Sequence, residues 1–345
     1  PLEREFNFNA PRKEGYSTVK SIAAMRDGKA RTFFSMGGNF LSATPDTDVV
    51  YDALSKCELT VQVATKLNRT ALVPSKVSII LPCLGRSEID IQAGGEQFVS
   101  TESTTLNVQM SKGILRPASE HLRSEPWIVA NLAKAVLGRR SSVDWSAMAS
   151  NYDNIRDSIS RVITGCENYN ERVRVKGGFY LPNPPHNGEF KTDSGRAVFK
   201  ASDLVPLRLE KGRFLLTTIR SHNQFNTTIY DYSDRYRGIE GERRVVLMNR
   251  DDIAASALKA GQVVDLTSHF ADGERHAERF IVVPYPIPQN CIAAYFPETN
   301  PLVPLGSVAD KSETPTSKSL IVSIVPRDEY SGKFDPEVLA GPDGS

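Results

Sequence analysis

Texture changes at Lys211, and no single fold class accommodates both sides of that change. Downstream of it, six short runs rich in β-branched residues follow one another: Phe214 to Ile219, Arg243 to Met248, Gln262 to Thr267, Arg279 to Val283, Cys291 to Ala294 and Ser319 to Val325. Gly- or Pro-bearing turns separate them, a spacing that predicts a small barrel or sandwich. One helix interrupts the series, with Asn249 as N-cap, Ile253, Ala257 and Leu258 turned inward, and Gly261 as its stop. Upstream, strand and helix signals alternate as in a βαβ unit with parallel strands. Thr32 to Met36 is a strand ending at Gly37 and Gly38; Thr44 and Pro45 open a helix with Val49, Val50, Ala53 and Leu54 on one face. Leu59 to Ala64 and Val77 to Leu81 read as further strands, the last apolar enough to be buried on both faces. Ser124 caps a helix that runs through Leu137 to a stop at Gly138, with Ile128, Leu132 and Val136 on its apolar side. The expected organisation is an α/β domain over residues 1–140, a helical and irregular connector over 141–209 with a helix from Tyr152 to Ile163, a barrel over 210–326 and a flexible tail over 327–345.

Composition narrows the function. With 345 residues, 40% hydrophobic and 24% charged, the chain can build cores that need no disulfide or metal staple. Its 42 Lys+Arg balance 41 Asp+Glu, which argues against a polybasic nucleic-acid or membrane-surface binder. No apolar run approaches a membrane span, the start lacks the order of a secretory leader, and the expectation is a cytoplasmic protein. The chain opens at Pro1 rather than Met, which suggests a piece of something longer. Four scattered cysteines with no Cys-x-x-Cys pair read as reduced thiols rather than a zinc or iron–sulfur site.

Standard catalytic motifs are missing: there is no Gly-x-Ser-x-Gly, Walker A loop, His-Glu-x-x-His or Gly-x-Gly-x-x-Gly. His269, Asp272, Glu274 and His276 invite a metal reading, but Asp272-Gly273 between strands is a hairpin signal, and the hairpin is the simpler account. Asn68-Arg69-Thr70 and Asn226-Thr227-Thr228 match the glycosylation pattern without consequence in a cytoplasmic chain. Two features carry more. Met36-Gly37-Gly38-Asn39 follows a strand directly, where glycines let a phosphate or base approach the backbone and an amide can read a hydrogen-bonding edge. Thr217 to Thr228 is a dense series of hydroxyls and amides, neutral apart from Arg220 and, conditionally, His222, which suits a ligand with many donors and acceptors plus a phosphate. Arg235 and Arg237 add anion partners or surface ion pairs, and Pro297-Glu298-Thr299-Asn300-Pro301 with Lys318 downstream is a further polar cluster or a rigid turn.

These clusters resemble the C-terminal portion of a molybdopterin oxidoreductase alpha subunit of the formate-dehydrogenase-like type, in the branch linked to acid resistance. The resemblance rests on Ala24-Met25-Arg26-Asp27-Gly28, Met36-Gly37-Gly38-Asn39-Phe40, Leu67-Asn68-Arg69-Thr70, Pro117-Ala118-Ser119-Glu120-His121-Leu122 and Ser124-Glu125-Pro126. In the second half it rests on Arg220 to Thr227, Asp234-Arg235-Tyr236-Arg237-Gly238 and Tyr295 to Asn300. It implies a nucleotide-binding-like α/β domain followed by a six-stranded double-psi β-barrel, together holding a molybdenum atom in two molybdopterin guanine dinucleotides. Carried over by motif, the cofactor-binding residues are Gly37, Gly38 and Asn39 at the strand-end turn, Arg220, His222, Gln224, Asn226 and Thr227 in the polar run, and Asn300 and Lys318 as late polar contacts. The sequence departs from the family at Thr104-Thr105-Leu106-Asn107-Val108, where many relatives carry an acidic residue and an arginine before the position of Gln109. No metal ligand and no catalytic residue fall in these residues. A 4Fe-4S cluster and the metal ligand belong to an N-terminal part, with formate or another small molecule as substrate and a separate electron-transfer partner. The competing reading is a non-catalytic nucleotide-binding or scaffold module.

Overall fold

The computed structural model describes residues 1–203, 207–229, 231–331 and 334. In chain order the first elements are α1 (Leu2–Phe6), α2 (Thr18–Arg26), β1 (Thr32–Met36), α3 (Phe40–Ala43), α4 (Thr47–Ser55), β2 (Leu59–Ala64) and β3 (Val77–Pro82). Four short strands follow, β4 (Asp90–Gln92), β5 (Gly95–Gln97), β6 (Val99–Glu102) and β7 (Asn107–Ser111). Then come α5 (Glu125–Leu137), α6 (Trp145–Ser150), α7 (Asp153–Val162), α8 (Tyr169–Arg174) and β8 (Phe179–Tyr180). The last stretch holds β9 (Phe214–Ile219), β10 (Val245–Met248), α9 (Arg250–Ala255), β11 (Gln262–Phe270), β12 (Gly273–Pro284), β13 (Cys291–Tyr295) and β14 (Leu320–Tyr330).

The chain divides into two units. One comprises Pro1–Glu14, Val63–Lys66 and Leu81–Val205; the other comprises Gly15–Gln62, Leu67–Ile80 and Pro206–Ser345. This differs from the organisation expected from the sequence, because the segment with the glycine turn belongs to the barrel's unit. The stretch expected to be a connector also differs. Cys166, Tyr169, Val173 and Phe179 are buried against Phe98 and Val108, forming the core of the first unit. Arg156 is buried there too, donating to the Phe98 carbonyl at 3.0 Å while its guanidinium lies 3.9 Å from the Phe98 ring centroid.

β2 is the middle strand of the sheet β1-β2-β3. Val77 N donates to the Glu58 carbonyl, and further along Cys83 N donates to the Ala64 carbonyl, so β2 and β3 run parallel. A three-stranded sheet has one interior strand, and β2 alone has a buried run. The expectation that Val77 to Leu81 is buried on both faces is corrected: β3 is an edge, with Val77, Ile79 and Ile80 exposed. The expected helix cap at Thr44 and Pro45 is also corrected. Thr44 closes α3, its hydroxyl donating to the Phe40 carbonyl at 2.7 Å, and the N-cap of α4 is Asp46 in the left-handed region, φ 56°. Val50, Ala53 and Leu54 are buried as the spacing predicts. In α5, Ser124 and Gly138 bound the helix as expected, but Leu132 and Val136 on the predicted inner face are exposed and Ala130 is its buried residue.

Strands β9 to β14 close into a six-stranded barrel in the order β10-β12-β11-β14-β9-β13. Inward side chains of alternate positions make its core, among them Leu216, Val246, Met248, Val264, Leu266, Phe280, Val282, Ile292 and Val322. α9 stops at Ala255 rather than at Gly261, because Ala257 takes a left-handed backbone, φ 54°, and is exposed; Ile253 and Leu258 still face inward. β14 continues through Pro326 to Tyr330, four residues into the stretch expected to fray, and residues 335–345 of that stretch lie outside the described residues.

Candidate functional site

Barrel topology gathers the polar clusters at one end. β9 and β13 are parallel, with Ile219 beside Tyr295, so the chain leaves both strands at the same rim. β14 is antiparallel to β9, so Lys318, just before it, returns to that rim; β10 is antiparallel to β13, so Arg243 does as well. The polar run, the segment 296–300, Lys318 and Arg243 therefore converge by strand direction alone.

A brace holds this rim together. Arg243 is buried, and its guanidinium donates to both Glu298 oxygens at 2.8 and 3.2 Å, to Gln224 Oε1 at 3.0 Å, to the Phe296 carbonyl at 2.8 Å, to Ser221 Oγ at 3.2 Å and to the Asp231 carbonyl at 3.2 Å. Gln224 is the second member: its Oε1 also accepts from Ser221 N at 3.1 Å, and its Nε2 donates to the Asn226 and Phe296 carbonyls, each at 2.8 Å. Every polar atom of that amide is engaged with protein. These bonds give Gln224 a part in shaping the loop.

The same segment reaches α3, the helix that follows the glycine turn. Asn300 is buried, its Nδ2 donates to the Ser42 carbonyl at 2.6 Å, and its own carbonyl accepts from Asp46 N at 3.0 Å. Asn300 is therefore a splice between the barrel rim and α3, not an exposed contact. Nearby, Asp46 Oδ2 accepts from Arg275 Nε and Nη2 at 2.9 and 2.8 Å and from Leu305 N at 3.1 Å. At the turn itself Gly37 and Gly38 have φ of 66° and 69°, a region that L side chains seldom adopt. Asn68 Nδ2 donates to the Gly38 carbonyl at 2.8 Å, and Thr70 Oγ1 donates to Asn39 Oδ1 at 3.2 Å while accepting from Leu41 N at 3.0 Å. So the Asn68-Arg69-Thr70 motif buckles the turn. Asn39 Nδ2 has no partner among the described residues.

Other groups on the rim keep hydrogen-bonding capacity. Arg220 is exposed, its guanidinium 5.6 Å from the Phe296 ring centroid. Lys318 Nζ donates to the Thr218 carbonyl, and Thr217 Oγ1 donates to the Lys318 carbonyl at 3.0 Å. Burial and the neighbouring Arg220 charge push the Lys318 ammonium below its usual range. Neither cation has a carboxylate partner among the described residues. Asn226 is exposed in a left-handed backbone, φ 49°, and Thr227 is half-buried. His222 Nδ1 lies 3.1 Å from Asp234 Oδ1. Burial pushes the Asp234 carboxyl up, but hydrogen bonds from Arg237, Tyr295 and His222 outweigh it and hold the group below the usual carboxylate range. Arg237 is thereby an internal partner of Asp234, at 2.5 Å.

Comparison with known proteins gives these residues a context. Residues 214–321 match the model of the molydopterin dinucleotide binding domain, a span that includes β9 to β13, the first two residues of β14, the polar run, Asn300 and Lys318. The match places the barrel's polar run and late polar contacts within one stretch that is similar to that domain. The chain is 49% identical over 331 residues to an uncharacterized oxidoreductase of Mycobacterium tuberculosis, covering 94% of this chain and 42% of that protein. It is 38% identical over 331 residues to protein YdeP of Escherichia coli K12, covering 94% and 44%. The chain thus spans less than half the length of these curated relatives. Acetylene hydratase from Pelobacter acetylenicus shares the fold at a TM-score of 0.59 and 13% identity, over 89% of this chain and 46% of that one.

Two cavities have linings that share no residue with this rim. One, of about 800 Å³, is lined by Phe214, Asn290, Cys291 and Pro326, at the opposite end of β9 and β13. The other, of about 740 Å³, is apolar and lies in the first unit, lined by Leu2, Phe6, Val129, Trp145 and Ile159 among others. His269 and Glu274 pair across the β11–β12 hairpin at 2.9 Å, as the hairpin reading expects, and no group of three metal-ligating side chains occurs among the described residues. Among the described residues no helix is long and apolar enough to cross a membrane. Cys57, Cys83 and Cys166 are free and buried, and Cys291 is free and half-buried.

Proposed function

We propose that the chain is the cofactor-holding part of a formate-dehydrogenase-like molybdopterin guanine dinucleotide oxidoreductase of the cytoplasm, with its barrel in double-psi topology. The observation that carries this reading is Arg220 beside Lys318, two cations without a carboxylate partner among the described residues, on the rim of a molydopterin dinucleotide binding domain. The chemistry of the donor set fits the group. Arg220 and Lys318 are donor-only cations suited to a pyrophosphate, whereas Asn226, Thr227 and His222 offer neutral, directional partners for a pterin edge. On the α/β side, Gly37 and Gly38 expose backbone and Asn39 keeps an amide donor. Ser42 Oγ, buried next to the splice, has no protein partner among the described residues and is available to a polar ligand atom.

When bound, the cofactor supplies two-electron chemistry at its metal. The chain's own residues bind and orient it. The Arg243 brace keeps loop 221–226 from collapsing, so that Arg220, His222 and Asn226 stay directed away from the barrel core. The metal ligand, an iron–sulfur cluster and the contacts to an electron acceptor are assigned to a segment that the longer relatives have room for, and formate or a similar small molecule is the proposed substrate. The 38% identity to YdeP supports membership of the same branch, for which we propose a part in acid resistance. The test is metal and pterin analysis of the intact polypeptide. Stoichiometric molybdenum and guanine-containing pterin support the reading; a folded product without either makes it a non-catalytic nucleotide-binding or scaffold module.

A further inference from the structure

A neutral imidazole holds its proton on one ring nitrogen, and its hydrogen-bond partner decides which. His222 has such a partner on one side only. Its Nδ1 is 3.1 Å from Asp234 Oδ1, and the ring packs on Tyr236 with centroids 4.6 Å apart, which sets its plane. The Asp234 side chain is 1% exposed, and its other oxygen accepts from the Tyr295 hydroxyl at 2.9 Å and from Arg237 at 2.5 Å. These two donors pin the carboxylate, so it cannot swing away from the ring. The charged and titratable groups around the imidazole are Asp234; Arg237, whose Nη1 is 3.4 Å from Nδ1; Arg235, stacked over Tyr236; and Tyr295 beyond Asp234. An ionised carboxylate only accepts, so the Nδ1 facing it must carry the hydrogen. Nε2 then carries the lone pair. The imidazole is 46% exposed, and Nε2 has no partner among the described residues.

We propose that Asp234 is a positioning residue that fixes His222 as the Nδ1–H tautomer, so that Nε2 accepts from an N–H or O–H donor edge of the ligand rather than contacting its phosphate. This rests on the cofactor reading for the identity of the ligand, but not for the tautomer. It gives the rim two polarities: Arg220 and Lys318 donate to an anion, and His222 accepts from a heteroaromatic amine edge. A ligand with both, such as a pterin joined to a pyrophosphate, is read at two points of opposite character. The buried carboxylate explains why an Asp stands at 234, where a solvent-facing ion pair with Arg237 alone would not need burial.

The experiment is long-range proton–nitrogen NMR on protein labelled with 15N-histidine and 15N-arginine, the His222 signals being assigned by their loss in His222→Gln and the Arg220 Nε–H signal by its loss in Arg220→Lys. The expected wild-type spectrum shows a protonated Nδ1 and an unprotonated Nε2 near neutral pH; a protonated Nε2, or rapid averaging of the two forms, overturns the proposal. In Asp234→Asn the fixed preference is expected to give way to a mixture, and an unchanged tautomer overturns the positioning role. Should that variant not fold, the wild-type spectrum decides by itself, with Tyr295→Phe expected to keep the tautomer because the carboxylate remains. For the ligand, 6-hydroxymethylpterin and inorganic pyrophosphate are titrated separately. The pterin is expected to move Nε2 of His222 and to bind about tenfold more weakly to His222→Ala, with partial recovery in His222→Gln, which keeps an acceptor. Pyrophosphate is expected to move the Arg220 Nε–H signal and leave His222 unchanged. The reverse pattern overturns the donor-edge assignment. If neither probe moves any signal, the cofactor reading fails along with that assignment, while the tautomer result stands or falls separately.

Discussion

Arg243 and Arg220 sit at the same end of the same barrel and do opposite things. The first is buried with all its visible hydrogen-bonding directions answered by Glu298, Gln224, Ser221 and backbone carbonyls; the second is exposed beside another cation. Within one polar cluster, then, the residues that build the rim are those whose bonds are used up, and the residues available to a ligand are those with something left over. The cluster read as uniform in sequence is two populations in space.

The largest effects should come from attacking the brace. Arg243→Ala removes a buried guanidinium, leaves the half-buried Glu298 without that partner, and is expected to cost about 3–5 kcal/mol in urea unfolding. A loss under about 1 kcal/mol would erase the distinction drawn above. Asp46→Ala removes three acceptor contacts at the splice but leaves Arg275 with Asp272, and a loss of about 2–3 kcal/mol by the same measurement is expected. Asn226→Ala and Gln224→Ala sharpen the contrast at two-residue spacing. The Gln224 variant is expected to lose about 1–3 kcal/mol of stability, whereas the Asn226 variant is expected to keep the fold and lose cofactor occupancy by an amount on the order of 1–3 kcal/mol in binding.

Acid titration probes the carboxylate that joins the two populations. Asp234 is held below its usual range in the folded protein, so its contribution is complete above about pH 4 and fades as pH falls towards the folded value. The stability difference between wild type and Asp234→Asn should therefore shrink on acidification, by at most about 1.4 kcal/mol per pH unit. A difference that grows as pH falls would contradict the assignment. The smallest stability effect belongs to Arg220→Ala, within about 0.5 kcal/mol of wild type, together with reduced pterin-dinucleotide content in the intact polypeptide. Equal cofactor content in both proteins would remove Arg220 from the site.

Local chemistry was legible in the sequence and long-range packing was not. β1, β2 and β9 have the boundaries that their apolar runs predict, and Ser124, Gly138 and Asn249 mark helix ends, Asn249 with a side-chain cap on Asp251 N and Ser124 without one, its hydroxyl being paired with Tyr152. The short strands from Asp90 to Ser111 carried no such signal although they pair as local hairpins, Asp90 with Gln97 and Val99 with Ser111, because each is three to five residues long and mostly polar, whereas Phe179 pairs with the distant Val108. For the same reason the stretch holding Tyr169 and Val173 read as a connector although it supplies a core. At the rim, Arg220 and Lys318 were legible as cations near a neutral polar run, and both lack a carboxylate partner among the described residues. The commitments of Gln224 and Asn300 were not, because nothing in their neighbours reveals that Arg243 and the Ser42 carbonyl come to meet them. Arg243 itself looked like the start of a strand, and its burial was the missing signal.

The contacts of Asn300 with Ser42 and of Arg275 with Asp46 have a practical corollary for dissecting the molecule. The stretch matched by the domain model, 214–321, is not a detachable cassette. Excising it would strand the carbonyl of Ser42 and expose Leu305, which is packed with Val50 and Leu54 from outside that stretch. Any shortened version meant to retain the rim should keep Gly15 to Ile80 in the same polypeptide.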